Sequence, residues 1–205
     1  MLATTDEDDL RDEGTYDRLG FYDLDLSSRS AKAAEFRQCR FNRVDLSGTV
    51  LNKTGFTDSL VESGNLANLH AEGSSLVRVA FTGTKLTGLH WIDGLLRDVT
   101  LQECRLDLSL FRDTEFRSVL FTDCSLTRAD FAGADLGGAH FVRCDLSGAQ
   151  FSGAKMSGTR FSDCALEGVG GVASFAGASL SSADLSSLSY ALADALGINV
   201  VDSPG

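Results

Sequence analysis

Apolar residues return at every fifth position from Phe21 to Leu166 without a break. The run opens Phe21, Leu26, Ala31, Phe36, Phe41, Leu46 and closes Phe151, Met156, Phe161, Leu166. A period of five suits neither common element. On an α-helix it drifts around the cylinder, and on a strand successive members alternate faces. Only a chain that turns once per repeat keeps every fifth residue inside, which predicts a solenoid. A second period, of twenty, is laid over the first. It is followed by Leu26, Leu46, Leu66, Leu86, Leu106, Leu126, Leu146 and Leu166, and by Cys104, Cys124, Cys144 and Cys164. Twenty residues per coil and five per side give four sides. The sequence therefore predicts an all-β solenoid of roughly square section, with coils about 4.8 Å apart.

Positions around each centre repeat as well. The residue two before a centre is small or apolar (Ala129, Ala134, Val99, Val119), and all five cysteines sit there, which places it inside. The residue just before a centre is often Asp or Asn: Asp25, Asp45, Asn65, Asp130, Asp135, Asp145. Such short side chains bond nearby backbone at a corner. Gly recurs two after a centre, as at Gly48, Gly83, Gly133 and Gly148; there it permits a positive φ. The middle is less regular. Leu69 and Leu89 replace small inward residues and Trp91 takes a centre, so local bulging is expected around 59–75 and 89–96. Outward positions also turn apolar at Ile92, Leu95, Leu108, Leu110 and Leu120. They are either scattered surface apolars or a partner patch, with Ile92, Leu108 and Leu110 on neighbouring coils of one side.

After Leu166 the phase slips, and the next centres are read as Phe175, Leu180 and Leu185. "LSSLSYALADALGINVV" then predicts a short helix with Leu188, Leu192, Ala195 and Leu196 on one face, ended by Gly197 and followed by an extended Ile198–Val201. A solenoid end exposes unpaired backbone and needs a cover. This segment either caps or caps and dimerises, with Leu188, Leu192, Leu196 and Ile198 as the dimerisation residues. The domain boundaries are an acidic tail or cap over 1–20, the solenoid over 21–185 and the C-terminal cap over 186–205.

The unit "RADFAGADLGGAHFVRCDLSGAQFSGAKMSG" resembles the pentapeptide-repeat proteins, over about four-fifths of the chain. That resemblance implies a right-handed quadrilateral β-helix. The tail "ALADALGINVV" resembles the C-terminal end of the Qnr-type quinolone-resistance and antibiotic self-resistance members. In those relatives this element forms a dimer interface, and the rod-shaped dimer engages DNA gyrase and topoisomerase IV. The resemblance thus implies a homodimer and a type II topoisomerase partner, with a DNA-mimic or drug-protection role. Coil-interrupting loops of the Qnr type have no counterpart here, so the loopless mycobacterial fluoroquinolone-resistance relative is the nearer model.

Charge refines the picture. Of the net −11, residues 1–20 carry −5 and residues 171–205 carry −3 with no base at all. The solenoid between is mixed in sign, with no basic stripe for direct nucleic-acid binding. No apolar run reaches membrane length, and the acidic start is unlike a signal peptide. Five cysteines without an export signal suggest a reducing cytoplasm. Four stacked cysteines cannot meet at one zinc, because the outer pair would lie about 14 Å apart at coil spacing. His70 and His90 stack on the outside and read as solvent-exposed spacers. No nucleophile elbow, phosphate loop or HExxH motif occurs. The expectation is a non-enzyme with no cofactor and no metal. It is either a topoisomerase-binding rod or an interaction scaffold for an unrelated partner.

Overall fold

The computed structural model describes residues 9–201. All centres from Phe21 to Leu166 are buried. In chain order the strands are β1 (Thr15–Asp17), β2 (Gly20–Tyr22), β3 (Glu35–Arg37), β4 (Arg40–Asn42), β5 (Gly55–Thr57), β6 (Leu60–Glu62), β7 (Ser75–Val77) and β8 (Ala80–Thr82). They continue as β9 (Leu95–Gln102), β10 (Glu115–Thr122), β11 (Ala139–Val142), β12 (Arg160–Ser162) and β13 (Ser179–Leu180). Every strand pairing is parallel, and residues twenty apart face each other: Phe36 with Phe56, Phe41 with Val61, Phe121 with Phe141. Strands form two adjacent sides of the coil. The other two sides are held by single bridges, such as Asp25–Asp45–Asn65 and Val50–His70–His90–Leu110. The result is a parallel β-solenoid of about eight coils with one C-terminal helix.

Backbone spacing dictates the core. Tyr16, Phe36 and Phe56 stack with ring centroids 4.6 Å apart. Phe121, Phe141 and Phe161 stack at 4.8 and 5.1 Å. These distances are close to the strand spacing of about 4.8 Å, so each ring rests on its own repeat one coil away. Tyr16 also shows that the first coil begins one unit before Phe21. It is buried, and its hydroxyl donates to the Asp9 carbonyl at 2.7 Å.

The corners are more demanding than their glycines suggest. The residue two after each centre is left-handed whether or not it is Gly; twenty-two non-glycine residues hold φ between 51° and 60°. The strain is offset by bonding between coils, since the corner N–H donates to the coil above: Arg18 to the Arg37 carbonyl at 2.8 Å, Asp23 to Asn42 at 3.1 Å, Ser28 to Ser47 at 2.9 Å. The Asx positions work as expected. Asp25, Asp45, Asn65, Asp130, Asp135 and Asp145 each accept the N–H two residues on, at 2.8–3.3 Å.

The expected bulging around 59–75 and 89–96 does not break the ladder. The Asn65–Lys85 and His70–His90 bridges keep the twenty-residue register through it. Inside this stretch lies an apolar void of about 30 Å³, lined by core side chains from Phe41 to Phe111 with Leu69, Leu89 and Trp91 among them. Gly94 accommodates the indole, because a Cβ there would collide with Trp91 Nε1.

The C-terminal end departs from the repeat. β13 pairs with β12 at an offset of nineteen, Phe161 against Leu180. A 3-10 turn over Val172–Phe175 absorbs the missing residue, and Phe175 still stacks on Phe161 at 5.5 Å. Leu185 is not a centre: it points outward at 51% exposure, because the chain has already become helix α1 (Ser182–Ala195). Ser181 and Asp184 form a capping box at its start. Asp184 is buried, and its Oδ1 accepts the Cys164 N–H at 2.7 Å, a bond that closes the last coil. Residues 198–201 carry no regular secondary structure. Residues 1–8 of the expected N-terminal tail and residues 202–205 lie outside the described residues.

Candidate functional site

Turns between sides are uniformly tight from Tyr16 to Leu166, so the surface is built of flat ladders and corners with no long loop to wall a cleft. Among the described residues, no group of three or more His, Cys, Asp or Glu is placed to hold a metal ion, and no helix is long and apolar enough to cross a membrane. What the chain presents is surface.

Ile92, Leu108 and Leu110 fall on neighbouring coils at or beside one side. Leu110 follows Val50, His70 and His90 in the bridged column, Ile92 lies two residues beyond His90, and Leu108 occupies the corner beside Leu110. Leu108 is 48% exposed at φ 60°, while Ile92 and Leu110 are half-buried. Leu120 stands apart, on a different side, where it pairs with Thr100 and His140. The His70 and His90 rings lie 4.1 Å apart, and burial, then the neighbouring His70, holds His90 below the usual imidazole range. Reading these histidines as spacers misses that they adjoin the leucines. Their shared offset of twenty is the signal that places them there.

The second surface is helix α1 together with residues 196–201. Leu188 is buried against the chain's own core, with Ala191 and Leu192 packed partly against it. Leu196 and Ile198 are exposed. So are Leu185, Tyr190, Val200 and Val201, which the dimerisation set expected from sequence omits. Helix periodicity explains the split: positions 188, 191 and 192 share one face. The exposed apolar side chains therefore surround an already docked helix.

Charges pair between coils. Arg43 reaches Asp23 at 2.6 Å, Arg78 reaches Asp58 at 2.5 Å and Arg143 reaches Asp123 at 2.7 Å. The arginine one coil above holds each of these carboxylates below the usual range through its hydrogen bonds. Opposite signs stacked up these corners give faces of mixed charge.

All five cysteines are buried and free. Four of them repeat one environment, beginning with Cys39, whose thiol lies 3.3 Å from the Tyr16 carbonyl. The Cys124 thiol lies 3.4 Å from the Leu101 carbonyl, Cys144 3.6 Å from Phe121, and Cys164 3.4 Å from Phe141. Hydroxyls at the same inward position elsewhere donate to the equivalent carbonyl: Thr49 to Leu26 at 2.9 Å, Thr114 to Trp91 at 2.7 Å, Thr159 to Leu136 at 2.8 Å. Contact with the thiol one coil below, and burial, push Cys124 and Cys144 up to about 12.

These features define a helix-capped parallel β-solenoid of five-residue repeats, with tight turns between its sides from Tyr16 to Leu166. Residues 74–151 match the family model for the pentapeptide repeat region, and the same buried period continues on both sides of that segment. Among solved structures the chain is similar to QnrB1, a plasmid-mediated fluoroquinolone resistance protein, at 19% identity over 90% of this chain and 100% of that one, with a TM-score of 0.38. It is also similar to HetL from the cyanobacterium Nostoc, a pentapeptide repeat protein involved in heterocyst differentiation regulation, at 18% identity over 82% of this chain and 89% of that one, TM-score 0.37. No curated protein matches the chain.

Proposed function

We propose that the chain is a non-catalytic, cytoplasmic rod that dimerises through its C-terminal element and acts by binding another protein, DNA gyrase or topoisomerase IV. One observation carries the reading. Helix α1 spends Leu188, Ala191 and Leu192 on capping, yet leaves Leu185, Tyr190, Leu196, Ile198, Val200 and Val201 exposed at one end of the molecule. A cluster of large apolar side chains beyond what capping uses is a contact surface without its partner, and a two-fold axis makes it self-complementary. Each chain contributes about eight coils at about 4.8 Å, so the dimer is a rod some 80 Å long before its cap is added. The tail sequence "ALADALGINVV" points to the topoisomerase partner by resemblance. Light scattering tests the assembly. The full chain is expected to run as a dimer and the Leu196→Asp/Ile198→Asp variant as a folded monomer; a wild-type monomer at high micromolar concentration overturns it.

A second reading, an interaction scaffold for an unrelated partner, is favoured by Leu108. Among the described left-handed corners of the solenoid it is the one large apolar side chain, the others being polar, Gly or Ala, and it is nearly half exposed. On this reading Ile92, Leu108 and Leu110 form the contact. Partner binding is then salt-tolerant and lost in Leu108→Asp/Leu110→Asp, whereas a charge-led topoisomerase contact weakens as salt rises.

A further inference from the structure

Neither reading uses the thiol column. Cys104, Cys124, Cys144 and Cys164 lie in consecutive coils at the same inward position, and all are buried. The backbone beside them is tied rung to rung: Ser125 N–H donates to the Cys104 carbonyl at 3.0 Å, Asp145 to Cys124 at 3.0 Å, Ala165 to Cys144 at 2.9 Å. Each of the upper three sulfurs also meets the carbonyl twenty-three residues back, at 3.4–3.6 Å. Because the four cysteines hold the same inward position on rungs tied one to the next, their sulfurs follow the coil spacing of about 4.8 Å.

That spacing excludes some metals and suits others. Tetrahedral zinc needs four donors around one point, which a column cannot provide. A linear, two-coordinate ion needs only two sulfurs on opposite sides. With metal–thiolate bonds of about 2.3 Å, those sulfurs stand roughly 4.6 Å apart. Thiolates select soft cations. Charge then chooses among them. Two thiolates on a monovalent ion leave a net negative charge inside an apolar core, which is costly, whereas a divalent ion gives a neutral complex.

We propose that Cys104, Cys124, Cys144 and Cys164 form a binding column for a soft, two-coordinate divalent cation of the mercury(II) kind, each ion held linearly between sulfurs of consecutive coils. On binding, two S–H bonds break, two metal–sulfur bonds form and two protons leave to solvent. No redox partner is needed. Each sulfur serves one ion, so the column holds two, at Cys104–Cys124 and Cys144–Cys164. Cys164, 8% exposed against 1–2% for the other three, is the end through which ions enter. Cys39 lacks a thiol neighbour: Leu19 and Ser59 occupy its rungs one coil away, and its N–H donates to the Ser59 hydroxyl at 3.0 Å.

The test compares two double variants of the full chain that keep the same number of thiols. Cys104→Ser/Cys124→Ser retains the adjacent pair Cys144 and Cys164. Cys124→Ser/Cys164→Ser retains Cys104 and Cys144, two coils apart. Serine and threonine already fill the equivalent inward position at Thr84, Ser109 and Thr114, so both variants are expected to fold, which circular dichroism checks. Each protein is incubated natively with mercury(II), freed of excess ion, and read by native mass spectrometry, free-thiol titration and X-ray absorption at the mercury edge. The expected result is two ions in the wild type, one in the adjacent-pair variant and no two-sulfur site in the separated-pair variant. Two thiols disappear per ion bound. A wild type that takes up no mercury while folded, or two variants that bind alike, overturns the proposal.

Discussion

At the scale of the residue, inside and outside alternate so strictly that neighbouring positions differ sharply in what they tolerate. Phe121 is fully buried between the rungs of Leu101 and Phe141, while Thr122 beside it faces out. Adjacent coils are pinned by their backbone ladder and cannot collapse into a gap. Phe121→Ala is therefore expected to cost about 3–5 kcal/mol in chemical denaturation, and Thr122→Ala less than about 0.5 kcal/mol. Equal losses at the two sites would mean that the assignment of faces is wrong. The corners give a prediction of the opposite sign. A left-handed leucine costs about 1–2 kcal/mol relative to an unstrained residue, and glycine removes that strain while adding unfolded-state entropy of about 0.4–1 kcal/mol. Leu108→Gly is thus expected to leave stability unchanged or raise it by up to about 1 kcal/mol. A loss larger than that would show that the Leu108 side chain packs within the chain and is not poised for a partner.

At the scale of the element, the start of α1 shows where local chemistry overrides a repeat. Ala183, Asp184 and Leu185 spell the same A-D-L triplet that marks a centre at Leu136, and the sequence reads Leu185 as one. The structure gives the aspartate to two other tasks. Its N–H donates to Ser181 Oγ at 3.1 Å, its Oδ2 accepts the Ser181 N–H at 3.2 Å, and its Oδ1 accepts the Cys164 N–H at 2.7 Å. A capping box and a closed rung outweigh one more buried leucine. Asp184→Ala removes half of the capping box, worth about 0.5–2 kcal/mol, and orphans a buried N–H, worth about 1–3 kcal/mol. The combined loss is expected to appear in thermal melts together with faster hydrogen exchange at Cys164. A loss under about 0.5 kcal/mol with unchanged exchange would contradict this account of how the last coil ends. The void in the core is hidden from the sequence for a related reason. The sequence shows large inward residues at Leu69, Leu89 and Trp91, and only the backbone register shows that the coils stay intact around them.

At the scale of the whole molecule, most of the architecture is legible in the sequence, because a single period fixes centres, corners and coil length together. Phe21 to Leu166 are placed inside by spacing alone, and the cysteine column follows from its own offset of twenty. The surfaces are less legible. Side chains such as Leu188 and Leu196 look alike in the sequence, and only the docking angle of α1 buries one and exposes the other. Leu120, grouped with Leu108 and Leu110 as an outward apolar residue, stands on another side, paired with Thr100 and His140. The proposed function rests on those surfaces. The most direct measurement is gyrase supercoiling with the purified full-length chain, with and without a fluoroquinolone, accompanied by capture of gyrase subunits at low and high salt. The expected result is altered supercoiling or drug protection by the dimer, capture that weakens as salt rises, and loss of both in Leu196→Asp/Ile198→Asp. Unchanged supercoiling, with no capture of gyrase at low salt, would contradict the topoisomerase reading.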